Sequence, residues 1–260
     1  MSGYYFGVAA LGIAPLWAAY LSVAVAVPCI ILHEICIPER TDWQPGRSEA
    51  ARDLAFLVLV QMLLPQFLSI LAAIFAAKIA IENDWLIKNL WPHESSLVSQ
   101  FLLLTIIAEL PRYWLHRFMH TVRPLWRFHA VHHAPRILYW LNAGRFHPVD
   151  KALQFLVETL PFILLGVSPG VLGLYFVFYA VTGFYQHSNC RVRLEFLNWM
   201  VAGPELHRWH HSLRPEESNT NYGNKLIIWD WVFGTRFLPP KRTVSALGIP
   251  DQLQQRPRAQ

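Results

Sequence analysis

Leu54–Ile81, read LAFLVLVQMLLPQFLSILAAIFAAKIAI, is 28 residues long and carries a single charge, Lys78, near its end. A helix rises about 1.5 Å per residue, so roughly 20 apolar residues cross the ~30 Å hydrocarbon core of a bilayer. The run is long enough to span. Pro65 predicts a kink, which membrane helices tolerate, and Lys78 can extend its ammonium toward an interface. Working outward, Leu11–Ile37 is a second such run with no charge before Glu34 and no positive leader, which predicts a retained anchor. A polar stretch, Pro38–Asp53, joins the two. A third run begins at Leu97 and reaches His116 and His120. Ala152–Val167 and Val171–Tyr185 flank the turn Ser168-Pro169-Gly170, and Glu158 and Pro161 suit the first of them to a hairpin that dips only partway.

Composition agrees. Of 260 residues 54% are hydrophobic and 15% charged, against about 25% charged in a soluble domain. The net charge of +5 sits in arginines beside apolar runs, which fits a membrane surface and not a nucleic acid. Cys29, Cys36 and Cys190 form no CxxC and predict no disulfide. The Pro38–Asp53 loop, the segment Pro111–Lys151 and the C-terminal part hold most of the Lys and Arg, which predicts that all three face the cytoplasm. The expected architecture is an all-α integral membrane protein, with four to five membrane-embedded helices and a cytoplasmic helical cap holding a histidine-rich di-metal site. The expected divisions are N-terminal transmembrane helices over 1–96, a catalytic domain over 97–240 and a polar tail over 241–260, poorly ordered after Leu247.

Ten of the 12 histidines fall between His116 and His211. His116-Arg-Phe-Met-His120 is an HxxxH pair, His129-Ala-Val-His132-His133 is HxxHH, and His207-Arg-Trp-His210-His211 repeats it. On a helix positions i, i+3 and i+4 share a face, so each motif can turn two or three imidazoles toward one point. Eight such ligands exceed what one metal accepts, and two metals follow. All-nitrogen ligation suits iron, zinc, copper or nickel and argues against calcium or magnesium. HExxH is absent, since His33-Glu34 is followed by no second histidine. His33 and His93 stand outside every motif. Glu109, seven residues before His116 and at the end of an apolar run, is expected to accept an imidazole N–H and orient a ligand. Asp150 is a similar candidate, and Asp230 is expected to stabilise a turn.

The order of these boxes resembles the fatty acid hydroxylase/sterol desaturase superfamily of membrane di-iron enzymes. The likeness covers about Leu97–Leu238. It includes Tyr113-Trp114-Leu115-His116-Arg117, Arg145-Phe146-His147-Pro148, Gln186-His187-Ser188-Asn189, and Asn221-Tyr222-Gly223-Asn224 through Trp229-Asp230 and Phe233-Gly234-Thr235. The resemblance implies that His147 and His187 join the ligands, that Asn189 belongs to the site, and that two Fe ions use O2 to hydroxylate or desaturate a C–H bond of a sterol or fatty-acyl lipid. The chain has no CxxCH, GxGxxG or ferredoxin-type cysteine run. A separate ferredoxin, cytochrome b5-like protein or reductase is therefore expected to deliver electrons, docked on arginines such as Arg123, Arg127 and Arg136. The aromatic residues Phe176, Phe178, Tyr179, Phe184 and Tyr185 are expected to line a lipid cavity entered headgroup-last. Alternatives are a carotenoid or alkylglycerol-ether hydroxylase, or a non-catalytic histidine-rich metal carrier, against which stands the clustering of the histidines after the helix ends. The short chain and the lack of a dilysine C-terminus favour a bacterial inner membrane, with the endoplasmic reticulum as the other location.

Overall fold

A computed structural model describes residues 12–83 and 90–250 of the chain. Among the described residues there are helices and isolated bridges but no strand. Helix α1 is Pro15–Cys36. Helix α2, Arg47–Phe56, passes through a π-helical segment, Leu57–Leu63, into α3, Leu64–Asn83. The cause is local: Pro65 has no N–H, and its ring crowds the Gln61 carbonyl one turn back, so the backbone widens where a kink was expected. The widened turn is packed closely. A Cβ on Gly144 would come 2.8 Å from the Leu57 Cα, so only glycine lets the 3-10 turn Trp140–Gly144 lie against it.

The remaining helices follow as α4 (Leu97–Thr121), α5 (Arg123–His133), α6 (Pro148–Glu158), α7 (Leu160–Leu164), α8 (Pro169–His187), α9 (Pro204–His210), α10 (Pro215–Ser218) and α11 (Ile228–Val232). Helix α4 buries polar and apolar side chains together: Gln100, Thr105, Glu109, Arg112 and His116 lie inside with Leu104, Ala108 and Tyr113, while Leu102, Leu103, Ile106 and Ile107 face outward. Pro15–Cys36 and Arg47–Ala76 are long and apolar enough to cross a membrane, and only 17% and 6% of their apolar windows are buried, so neither is a soluble core helix.

The apolar core joins α1, α4 and α8 through residues such as Ala18, Leu104 and Leu174. The Pro38↔Cys190 bridge ties the end of α1 to the strap after α8, and all three cysteines are free. The tail is described only in part. Up to Pro250 it is packed: Leu247 and Ile249 are buried, and Leu247 bridges Ser212. Residues 251–260 lie outside the described residues, as do 84–89 of the expected Glu82–Ser96 loop.

Candidate metal centre

Where α4, α5, α8 and α9 end together, nine imidazoles form two groups. His116, His120, His129, His133 and His210 make the first; His132, His187, His207 and His211 make the second. Within each group the candidate ligand atoms all lie within 4.8 Å of one another. The two HxxHH motifs are each split two and one. The i, i+4 pairs stay together (His129 with His133, His207 with His211), and the i+3 residue crosses to the other group. Successive residues turn 100°, so i+4 overshoots a full turn by about 40° and i+3 falls short by about 60°, on the opposite flank. The groups adjoin: the His133 and His211 rings stack at 4.3 Å.

Outward-facing ring nitrogens fix how these rings sit. Nδ1 of His116 donates to the Tyr222 carbonyl (2.7 Å), that of His120 to Asn219 Oδ1 (3.1 Å) and that of His210 to the Thr220 carbonyl (2.7 Å). His132 reaches the Arg145 carbonyl (3.2 Å), His187 the Asn142 Oδ1 (2.9 Å) and His129 the Asp150 carboxylate (2.8 Å). Every acceptor is an oxygen, so each Nδ1 carries the proton and each Nε2 is left as a bare lone pair. The lone pairs of His116 and His129 point at one another with their Nε2 atoms 3.0 Å apart, and those of His129 and His187 face Nε2 of His133 (3.2 Å) and of His207 (2.9 Å). His210 Nε2 is buried with no hydrogen bond at all. Converging unprotonated nitrogens repel unless a cation lies between them, so the donor set fits two metal ions. Burial pushes His132, His133, His207 and His211 well below the ordinary imidazole range and takes His210 down to about 3, which keeps them neutral and ligand-ready at pH 7.

The remaining candidates separate. Asp150 lies against His129; burial raises its carboxyl most, but His129, Arg112 and Gln154 together hold it below the usual range, with Gln154 at 2.6 Å on the other oxygen. Asp230 accepts the Tyr222 and Gly223 N–H groups and the Thr235 hydroxyl, closing the turn; burial raises it to about 6. Three other candidates lie away from the imidazole groups. Glu109 touches no imidazole; its carboxylate accepts the backbone N–H of Asn224, Lys225 and Leu226, 115 to 117 residues away. His147 belongs to neither group, because its Nδ1 accepts the Val149 N–H (3.1 Å) and caps α6. Asn189 pairs with the backbone of Arg40, through Oδ1 (2.9 Å) and Nδ2 (2.7 Å), and fastens the strap to α1. Sequence reasoning passed over Asn142, Asn219 and Thr220, whose oxygens orient rings; no spacing rule marks them. His33 and His93 stand apart from both groups.

Glu109→Ala leaves three backbone donors without an acceptor. At about 1–3 kcal/mol each this should cost at least ~3 kcal/mol and lower Tm by about 10 °C, with Glu109→Gln in between. Thermal melts in detergent check it, and an unchanged Tm would show that the loop holds itself.

A cavity of about 390 Å³ opens on the histidines, with His116, His129, His132, His187 and His207 in its wall. Phe176, Tyr179 and Phe184 line it as expected; Phe178 instead packs on Phe101, and Tyr185 lies by His33. A second cavity of about 350 Å³, between α1 and α3, shares Tyr20, Gln61, Met62, Phe176 and Tyr179 with it.

Two candidate membrane helices, two nitrogen-only histidine groups that could each hold a metal ion, and an apolar cavity opening on both are the features of a histidine-box protein. The fatty acid hydroxylase family model matches residues 101–235, and the chain belongs to that family. Ornithine lipid hydroxylase OlsE of Rhizobium tropici is 34% identical over 239 residues, 90% of this chain and 71% of that protein. Alkylglycerol monooxygenase of Xenopus tropicalis is 32% identical over 133 residues, 51% of this chain and 29% of that protein. Very-long-chain aldehyde decarbonylase GL1-8 of Oryza sativa subsp. japonica is 27% identical over 146 residues, 55% of this chain and 54% of that protein. No solved structure matches the chain.

Proposed function

We propose that the protein is a di-iron lipid hydroxylase of the membrane, and the observation that carries this is the inward convergence of the Nε2 atoms in two adjacent groups on one apolar cavity. The first group would hold one ion with five imidazoles, the second another with four. Bound iron would supply the redox chemistry that reduces O2 and oxidises a C–H bond. The protein's part is to hold the ligands, admit the chain and exclude water. Asp150, with Gln154 behind it, keeps the proton of His129 on Nδ1. Tyr222, Thr220, Arg145, Asn142 and Asn219 do the same for their rings, so no ligand needs to reorient when an ion binds.

Hydroxylation takes one O2, two electrons and two protons to give an alcohol and water; with no cofactor motif in the chain, the electrons come from a separate carrier, for which the exposed Arg123 and Arg127 offer a basic face. The names of the two hydroxylating relatives favour a hydroxyl product over a double bond and a glycerol- or amino-acid-based lipid over a sterol. Four to five membrane-embedded helices, a cytoplasmic cap and a catalytic unit over 97–240 complete the proposal, supported by the outward apolar side of α4 and the arginine distribution.

Anaerobic purification followed by metal analysis is the test, beside the variant with His132, His133, His210 and His211 all changed to alanine. The expected result is about two irons per chain, lost in the variant. A folded, metal-free wild-type protein would overturn the reading.

A further inference from the structure

Tyr179 stands where the two cavities meet and lines both. Two ammonium groups lie against its ring. Lys225 Nζ lies 4.3 Å from the ring centroid, on the histidine side, and donates to Gln186 Oε1 at 3.2 Å. Lys151 Nζ lies 4.7 Å from the same centroid and donates to the Tyr179 hydroxyl at 3.0 Å. Both side chains are buried, at 3% and 7% exposure. Among the described residues no carboxylate comes within ion-pair distance of either head. The nearby acids are engaged elsewhere: Glu109 by three backbone N–H groups, Asp150 by His129 and Gln154, Glu158 by the Tyr175 hydroxyl and Arg112. Arg112 adds a third cation to the wall; its Nε lies 3.4 Å from Glu158 Oε2, and neither Nε nor Nη1 makes a hydrogen bond.

An ammonium has three N–H donors, and a buried cation satisfied only by a neutral oxygen and a ring face is incompletely compensated. Ionisable groups at membrane depth are costly enough that their placement is functional by default. Glu109 and Glu158 lie near enough to favour the charge on Lys225, but among the described residues neither head donates to an anionic acceptor.

We propose that Lys225 and Lys151, braced by Tyr179 and Gln186, form a binding site for a carboxylate or phosphate oxyanion at the polar end of the lipid substrate. The lipid then enters polar end first, with its hydrocarbon trailing through the second cavity past Leu16, Tyr20 and Met62 toward the bilayer. This reverses the headgroup-last entry expected from the sequence, and it sets carbons close to the polar group beside the histidines. The proposal rests on the lipid-oxygenase reading.

The test is equilibrium binding of radiolabelled palmitate, hexadecyl phosphate and hexadecane to the purified full chain in nonionic detergent, corrected for protein-free micelles, with metal content measured on the same samples. At least one of the two anions should bind ~10-fold or more tightly than hexadecane, the scale of one charge-assisted hydrogen bond. Whichever anion prevails identifies a carboxylate or a phosphate as the group recognised. Lys225→Met and Lys151→Met should each weaken anion binding about tenfold while hexadecane binding and metal content stay as in the wild type. Equal binding of all three probes to the wild type would overturn the proposal, as would an anion preference that survives in both variants. A metal-free wild type that keeps the preference would overturn the oxygenase reading and leave this site standing.

Discussion

His207→Ala should cost the protein one metal ion of two and reduce lipid oxidation at least ~100-fold, the upper end of what losing a mere supporting partner does. His207 is the hub of the second group: its Nε2 lies 2.9 Å from that of His187 and 3.1 Å from that of His211. Removing it leaves three imidazoles there and all five of the first group, four of whose rings are anchored independently through Tyr222, Thr220, Asn219 and Asp150. Metal analysis and turnover on the same preparation read both effects. Loss of both ions would mean that the groups assemble as one unit; retention of both would mean that His207 is not a ligand.

The metal-free protein should lose stability steeply as the pH falls below about 6.5, the ordinary imidazole value. Burial holds His132, His133, His207, His210 and His211 below that value in the folded chain. Between the two values the unfolded chain binds more protons than the folded one, so stability is full above pH 6.5 and declines as acid is added. At pH 5 each such group contributes a loss of up to about 2 kcal/mol, and three of them would remove ~6 kcal/mol, comparable with the whole stability of a marginal fold. Near-UV circular dichroism melts of chelated protein at pH 7.5, 6 and 5 measure this. Equal melting temperatures across that range would show that the imidazoles are solvated or already protonated.

The parts of this structure that were readable in the sequence are those set by short-range periodicity. The 28-residue run at Leu54 gave a lipid-facing helix, and i, i+3, i+4 spacing gave convergent imidazoles. Periodicity did not divide the imidazoles between two points, because a difference between +40° and −60° matters only once both partner helices are in place. The misplaced residues share a cause. Glu109 was read against its own helix, where His116 is the neighbour, yet its partners are backbone amides of the Asn224–Leu226 loop. His147 and Asn189 followed from likeness of motif, which carries residue identity but not the direction in which a side chain is used. Lys225 went unmarked because a lysine after a glycine-containing turn ordinarily faces water, and only tertiary packing seals it in.

The ring anchors set a schedule for how the enzyme is made. Three imidazoles of the first group, on α4 and α9, are oriented by the four-residue segment Asn219–Tyr222, and Asp230 in turn holds Tyr222 and Gly223. That turn admits no side chain at Gly223, where a Cβ would overlap the Leu226 carbonyl oxygen and lie 2.7 Å from Asp230 Oδ2. During synthesis the apolar helices emerge and enter the bilayer with their histidines unpartnered, and the rings take up their final tautomers only after the ribosome has passed Asp230. On the proposed reading, loading of the first group is thus confined to the finished chain, and a truncation between His211 and Asp230 yields a protein that carries every box histidine yet leaves His116, His120 and His210 without their anchors.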